Sequence, residues 1–150
     1  MNRQEFIMRP IGVIHSPFTD KEQMPIQASR SQAIGLVEVY PEFADGLKDI
    51  EELSHIHLFY VFHQSSGYAL QVKPFLDDRE HGIFATRYPY RPNPLGISTV
   101  RLLSRQDNAL AIEGVDVLDG TPLLDIKPYV PDFDLRTDVR AGWYETRSKK

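Results

Sequence analysis

The stretch "HIHLFYVFHQ", His55 to Gln64, is apolar and aromatic through its middle and polar at both ends. It is short for a helix, and its β-branched and aromatic content predicts a strand buried on both faces. Reading outward, "IGVIHS" (11–16), "IGLVEVY" (34–40), "GIFATR" (82–87), "STVRLLSR" (98–105) and "LAIEGVDVL" (110–118) are further strand candidates. The last two are separated by the turn-like "QDNA". One amphipathic helix is expected in "EFADGLKDIEEL" (42–53), where Phe43, Leu47, Ile50 and Leu53 share a face. The stretch 65–82 reads as a long, mobile connection. The polar run 129–145 reads as irregular, with Trp143 as a docking anchor. Many short strands without strand–helix alternation argue against a doubly wound sheet. The expected fold is mainly β: a small closed or nearly closed β-barrel, one short amphipathic helix and an irregular C-terminal segment. Closure removes exposed strand edges.

The 150 residues suit one domain with a sizeable core, and no repeat or linker interrupts them. With no cysteine, disulfides, thiolate metal sites and cysteine nucleophiles are excluded. No apolar run approaches the roughly 20 residues that cross a bilayer. The first ten residues lack the apolar core of a signal peptide, so a cytoplasmic protein is expected. The net charge of −4 does not advertise nucleic-acid binding. It is uneven, however: residues 1–80 carry 7 basic against 12 acidic side chains, and residues 81–150 carry 10 against 9. A polyanion would meet the second half, through Arg87, Arg91, Arg101, Arg105, Lys127, Arg136 and Arg140.

Polar groups gather at strand ends in three places. His63 and Gln64 end the most apolar strand, offering an imidazole and an amide at a barrel mouth. In "FATRYPYRPNPLG" (84–96), Arg87 and Arg91 bracket Tyr88 and Tyr90, and guanidinium groups beside aromatic faces can stack a purine or clamp an anion. Pro92 and Pro94 stiffen this stretch around Asn93 and keep it out of a sheet ladder, while Gly96 permits close backbone approach. It is either a rigid corner or a preformed rim over a ligand. In "DVLDGTPLLDIKPYVP" (116–131), Asp119 to Pro122 form a tight turn. Beyond it Asp125, Lys127 and Tyr129 alternate along one face of an extended segment. That face is either simply exposed or functional. His55 and His57 also share a strand face, with His63 on the same parity, which leaves a metal site as one reading. There is no GxGxxG after a first strand and no GxSxG elbow.

Taken in order, "IGVIHSPF", "FHQ", "GIFATR", "RPNPLGIS" and "DGTPLLDIKPYVP" resemble the TsaA/YaeB-like family, whose best-known members are the TrmO-type tRNA methyltransferases. The resemblance runs from about Pro10 to Pro131, nearly the whole of a single domain spanning 1–150. It implies a small β-barrel, usually a homodimer, that binds S-adenosyl-L-methionine without a Rossmann sheet. It also implies N6-methylation of threonylcarbamoyl-adenosine beside the tRNA anticodon. The positions matching the family's cofactor pocket are Pro25, Ile26, Gln27, His63, Gln64, Arg87, Ile97, Leu118, Asp119, Gly120, Thr121 and Pro122. Arg91 and Asn93 are the expected substrate contacts. Asp125 is the first candidate for the base, Tyr129 the second, and Lys127 would lower the pKa of either. Oxygens of the Asp119 turn would face the cationic sulfur. Two departures stand out: Pro25-Ile26-Gln27 replaces the family's Pro-Arg-Gln, and the C-terminal extension of bacterial members is expected to be absent. Two other classes remain open: a non-catalytic adenosylmethionine or purine-binding module, and a metal-dependent barrel enzyme using His55, His57 and His63.

Overall fold

The computed structural model describes residues 3–25, 31–75 and 77–146. Its strands are β1 (Gly12–His15), β2 (Ile34–Val39), β3 (His55–Val61), β4 (Gln71–Val72), β5 (His81–Gly82), β6 (Leu95–Gln106), β7 (Ala109–Glu113) and β8 (Thr121–Pro128). Six of them close into a barrel in the order β1-β2-β7-β6-β3-β8, and β4 and β5 form a separate two-stranded ribbon. Every neighbouring pair in the barrel is antiparallel. Alternation drives the closure. Ile14, Val37, Ile56, Leu58, Val100, Leu110, Ile112 and Leu123 point inward and are at most 1% exposed, while their strand neighbours face out.

Two irregularities shape the wall. β6 is 12 residues long and shifts register against β7 between Leu102 and Ser104. Its first half pairs β3 and its second half pairs β7. β8 shifts against β3 between Phe59 and Tyr60, which sit opposite Asp125 and Leu123. The extra residue, Leu124, lets Leu123 and Ile126 both face the core although three positions separate them.

Several local expectations change. β3 is buried on one face only: its burial alternates strictly, with Ile56, Leu58 and Tyr60 inside. The 42–53 helix is instead two 3₁₀ segments, Pro41–Leu47 and Ile50–Glu52, broken at Asp49 with φ 71°. Gly46 lowers α-propensity mid-run, and a left-handed residue ends a helix. The apolar face survives, with Leu47 and Ile50 in the core and Phe43 and Leu53 packed against it. The connection 65–82 holds β4, which pairs with β5. The expected strand 82–87 is one short bridge followed by a 3₁₀ turn, Ile83–Ala85, that the Thr86 hydroxyl closes by donating to the Ile83 carbonyl at 2.9 Å. The 110–118 strand ends at Glu113. β8 lies where only a turn and an extended segment are expected, because Pro122 and Pro128 read against a strand. The C-terminal stretch is irregular apart from single α-turns at Pro131–Asp134 and Trp143–Thr146. Among the described residues no helix is long and apolar enough to cross a membrane.

Candidate functional site

The site forms where two neighbouring strands part. β7 pairs β6 only from Arg101 onward, opposite Glu113, so among the described residues the Leu95–Val100 half of β6 has an edge without a ladder on that side. In the β3–β6 ladder the Phe62 N–H reaches the Pro94 carbonyl and the Leu102 N–H reaches the Ser54 carbonyl, both at 2.8 Å. The two-residue period therefore turns the main-chain groups of Gly96, Ser98 and Val100 toward β3 and those of Ile97 and Thr99 away from it. A cleft of about 810 Å³ lies against this edge, a size suited to a nucleoside-sized ligand. Segment 114–120, leaving β7, forms the facing wall.

That wall is stitched down. The Ser16 hydroxyl donates to the Val117 carbonyl at 2.6 Å, and the Asp119 N–H reaches the Phe18 carbonyl at 2.8 Å. The Asp119 carboxylate accepts from the Ser16 N–H at 3.0 Å, and the Gly120 N–H binds the Ile14 carbonyl at 2.9 Å. Ser31 holds the Val115 carbonyl at 2.6 Å. The "HSPF" and "LDGT" motifs thus lock one another. Gly120, at φ 84°, takes the left-handed conformation that favours glycine.

At the floor three residues form a directed chain. Ser98 donates to the Asp116 carboxylate at 2.6 Å, so the Tyr60 hydroxyl, 2.8 Å from Ser98 Oγ, donates to Ser98 in turn. Tyr60 and Ser98 are each only 4% exposed. Burial first, and then the negative charge of Asp116, push the Tyr60 phenol above its ordinary 10.0. Gly96 makes room: a Cβ there would lie 2.3 Å from the Tyr60 ring and 2.8 Å from that of Phe62. Because the fold favours the neutral phenol, its stabilisation is complete below about pH 10 and is lost as pH rises beyond it. Tyr60→Phe is expected to remove this alkaline slope and one late-titrating phenol, read by denaturant melts and phenolate absorbance across that range.

The C-terminal turn closes one side. The Trp143 indole N–H donates to the Ala85 carbonyl at 2.8 Å and its ring stacks on His81 at 4.6 Å. His81 is itself held by Asp77 at 2.5 Å. Trp143 and Tyr144 both line the cleft, in keeping with the expected anchor.

Of the expected cofactor residues, Pro25, His63, Gln64, Arg87, Ile97, Leu118 and Thr121 line this cleft. Ile26 and Gln27 lie outside the described residues. Asp119, Gly120 and Pro122 form the turn behind the wall, and the carboxylate facing the cleft there is Asp116 rather than Asp119. Arg91 lines the cleft, but its guanidinium is engaged with the Thr86 and Tyr88 carbonyls at 2.8 and 3.0 Å. Asn93 stands exposed on the rim, where its carbonyl accepts from the Leu95 N–H at 2.7 Å.

Asp125, Lys127 and Tyr129 share a face, as their spacing predicts, and it is the outer face of the barrel. Asp125 lies opposite Phe59, and Phe59 opposite Ile97. Two strand spacings, roughly 10 Å, therefore separate it from the cleft lip. It borders a second hollow, of about 750 Å³, beside the 3₁₀ segments. Lys127 pairs with Asp125 at 3.2 Å. Tyr129 packs edge-on against His57, whose ring contacts Thr99 at 2.9 Å and Asp134 at 3.2 Å. Among the described residues no group of His, Asp and Glu is placed to hold a metal ion. Sequence reasoning missed Tyr60, Ser98 and Asp116. The available signal was an acid inside the apolar run "VDVL" and a serine closing the "LGIS" motif.

An edge strand that presents main-chain donors and acceptors, a half-buried carboxylate and aromatic walls make a barrel-side cleft of a size and chemistry suited to a nucleoside-like ligand. Residues 13–135 match the tRNA-methyltransferase O N-terminal domain, and the chain belongs to that family. It is 59% identical over 143 residues to a probable S-adenosyl-L-methionine-binding protein of Pyrococcus abyssi, covering 95% of this chain and 78% of that one. It is 36% identical over 136 residues to the tRNA (adenine(37)-N6)-methyltransferase of Mus musculus, covering 85% of this chain and 32% of the mouse protein. The crystal structure of TrmO from Pseudomonas aeruginosa superimposes with a TM-score of 0.80 at 37% identity, over 96% of this chain and 63% of that one. The chain thus spans less than two thirds of the length of those two.

Proposed function

We propose that this chain binds S-adenosyl-L-methionine in the β6-edge cleft and methylates N6 of threonylcarbamoyl-adenosine beside the anticodon of tRNA. The observation that carries the reading is the coincidence of the family match over 13–135 with a cleft lined by seven of the residues that resemblance singles out. The cleft's own chemistry fits the cofactor. Main-chain groups of Ile97 and Thr99 suit the edge of an adenine, Asp116 suits a cation, and Arg87 and His63 suit a carboxylate. When bound, adenosylmethionine supplies a methyl group on a sulfonium, ready for in-line displacement.

The chain's residues do the rest. Arg87 and Arg91 give the mouth positive charge for a phosphate or carboxylate of the acceptor, and Asn93 sits on the rim beside them. Asp125, with Lys127 and Tyr129 around it, is the candidate that takes the proton from N6. From the outer face it reaches an acceptor that drapes over the Leu95–Ile97–Thr99 lip, or one held at a neighbouring subunit. A homodimer suits that arrangement. Leu95 and Ile97 are apolar yet 48% and 39% exposed on this lip.

The test is mass spectrometry of nucleosides from tRNA incubated with protein and adenosylmethionine, using modified and unmodified transcripts. The expected product is N6-methylated threonylcarbamoyl-adenosine from modified tRNA only. In the same assay Asp125→Asn is expected to keep cofactor binding and to lose roughly 100-fold or more in rate. Binding without any methylated nucleoside would favour a non-catalytic role; adenosylmethionine binding is all that the name of the Pyrococcus relative states.

A further inference from the structure

We propose that Asp116 is the counter-charge for the sulfonium of bound adenosylmethionine, and that it makes the cleft prefer the charged donor to its neutral thioether product. The inference rests on the cofactor reading above and adds what no family resemblance assigns, a residue that tells donor from spent donor.

Placement comes first. Asp116 lines the cleft on the stitched wall opposite the open β6 edge, the region left to a ligand whose base meets Ile97 and Thr99. The turn acid that the sequence suggests for this task, Asp119, is turned away and tied to the Ser16 N–H.

Orientation comes next. The hydroxyl of Ser98, 4% exposed, donates to Asp116 at 2.6 Å, and Tyr60 donates to Ser98. Each proton in the chain points toward the carboxylate. This arrangement commits both hydroxyl protons to the side of the carboxylate and orients it. The same chain explains the residues that follow the prolines. Gly96 admits the Tyr60 ring, and Ser98 stands two positions further along the same inward face.

The chemistry of the ligand completes the case. A sulfonium carries a full charge but donates no hydrogen bond, so its recognition depends on fixed negative charge in a poorly solvated place. The thioether product has lost that charge and gains nothing from Asp116. After transfer the pocket therefore releases the product more readily than it held the donor.

The experiment is calorimetric titration of the full chain with adenosylmethionine, S-adenosylhomocysteine and sinefungin, whose ammonium replaces the methylsulfonium. Wild type is expected to bind the two cationic ligands roughly tenfold or more tighter than the thioether, the scale of a partly screened charge pair. Asp116→Asn, nearly isosteric, should bring all three affinities together by weakening only the cationic ligands. Ser98→Ala should lie between wild type and Asp116→Asn. Melting curves and unchanged thioether affinity establish that the variants are folded. Equal weakening of all three ligands by Asp116→Asn, or no change in any of them, would overturn the proposal. So would equal affinities in wild type. A wild-type chain that binds none of the three removes the cofactor reading itself, a result distinct from these.

Discussion

Gly96→Ala is expected to lower the melting temperature by about 5–10 °C and to weaken adenosylmethionine binding by roughly tenfold, although it adds one methyl group. The new Cβ would lie 2.3 and 2.7 Å from two atoms of the Tyr60 ring and 2.8 Å from Phe62. These two rings pack at 5.6 Å, edge to face, and neither can rotate away freely. Tyr60 is pinned through its hydroxyl to Ser98, and Gly96 is fixed opposite Tyr60 in the β3–β6 ladder. Overpacking of this kind costs about 2–3 kcal/mol, and for a chain of this size each kcal/mol moves the midpoint by about 2–4 °C. The functional loss comes from the same displacement. If Tyr60 swings out, Ser98 loses its donor and Asp116 its orientation. Thermal melting and adenosylmethionine titration check the two effects together. An unchanged melting curve would mean that the Tyr60 ring does not lie over Gly96.

That glycine marks the boundary between what the sequence discloses and what it hides. The barrel is legible because its core strands alternate or run apolar over short lengths between turn residues. Ile14, Val37, Leu58 and Ile112 all fall in stretches that read as strands. The conformation of 42–53 is not legible, since the apolar spacing Phe43–Leu47–Ile50 suits an α-helix and a broken 3₁₀ path nearly equally. β8 hides behind Pro122 and Pro128, which local rules count against a strand. Tertiary pairing with β1 and β3 overrides them. At the site, the rim residues are legible because arginines, aromatics and prolines crowd one stretch. Asp116 is marked only by its place in the apolar run "VDVL", a cue too weak to set it above Asp119 in its turn. The Asp119–Ser16 hydrogen bond, formed across 103 positions of sequence, and the Ser98–Asp116 hydrogen bond together decide which acid faces the cleft. Lys127 and Tyr129 show the opposite case: their shared face is readable from parity, but its being the outside of the barrel requires the closed sheet.

Arg91→Ala is expected to destabilise the chain by about 2 kcal/mol, the scale of charge-assisted hydrogen bonds at a half-buried position, and to loosen the whole rim from Thr86 to Pro94. One terminal nitrogen of Arg91 serves two carbonyls of the loop it closes, Thr86 at 2.8 Å and Tyr88 at 3.0 Å. Its own N–H bonds the Pro89 carbonyl at 2.8 Å. With the side chain gone, two carbonyls turn to water and the T-shaped Tyr88–Tyr90 pair, 5.4 Å between centroids, loses its frame. Arg91→Lys should recover part of the loss: an ammonium has donors enough for both carbonyls, but its reach is shorter and its hydration stronger. Arg87 provides the internal contrast. It is exposed on the same loop, so Arg87→Ala should leave the melting curve nearly unchanged while weakening anionic ligands. Urea denaturation and ligand titration of the three variants separate the roles. An Arg91→Ala variant as stable as wild type but unable to bind acceptor would mean that Arg91 works as a ligand contact and that the prolines alone hold the rim.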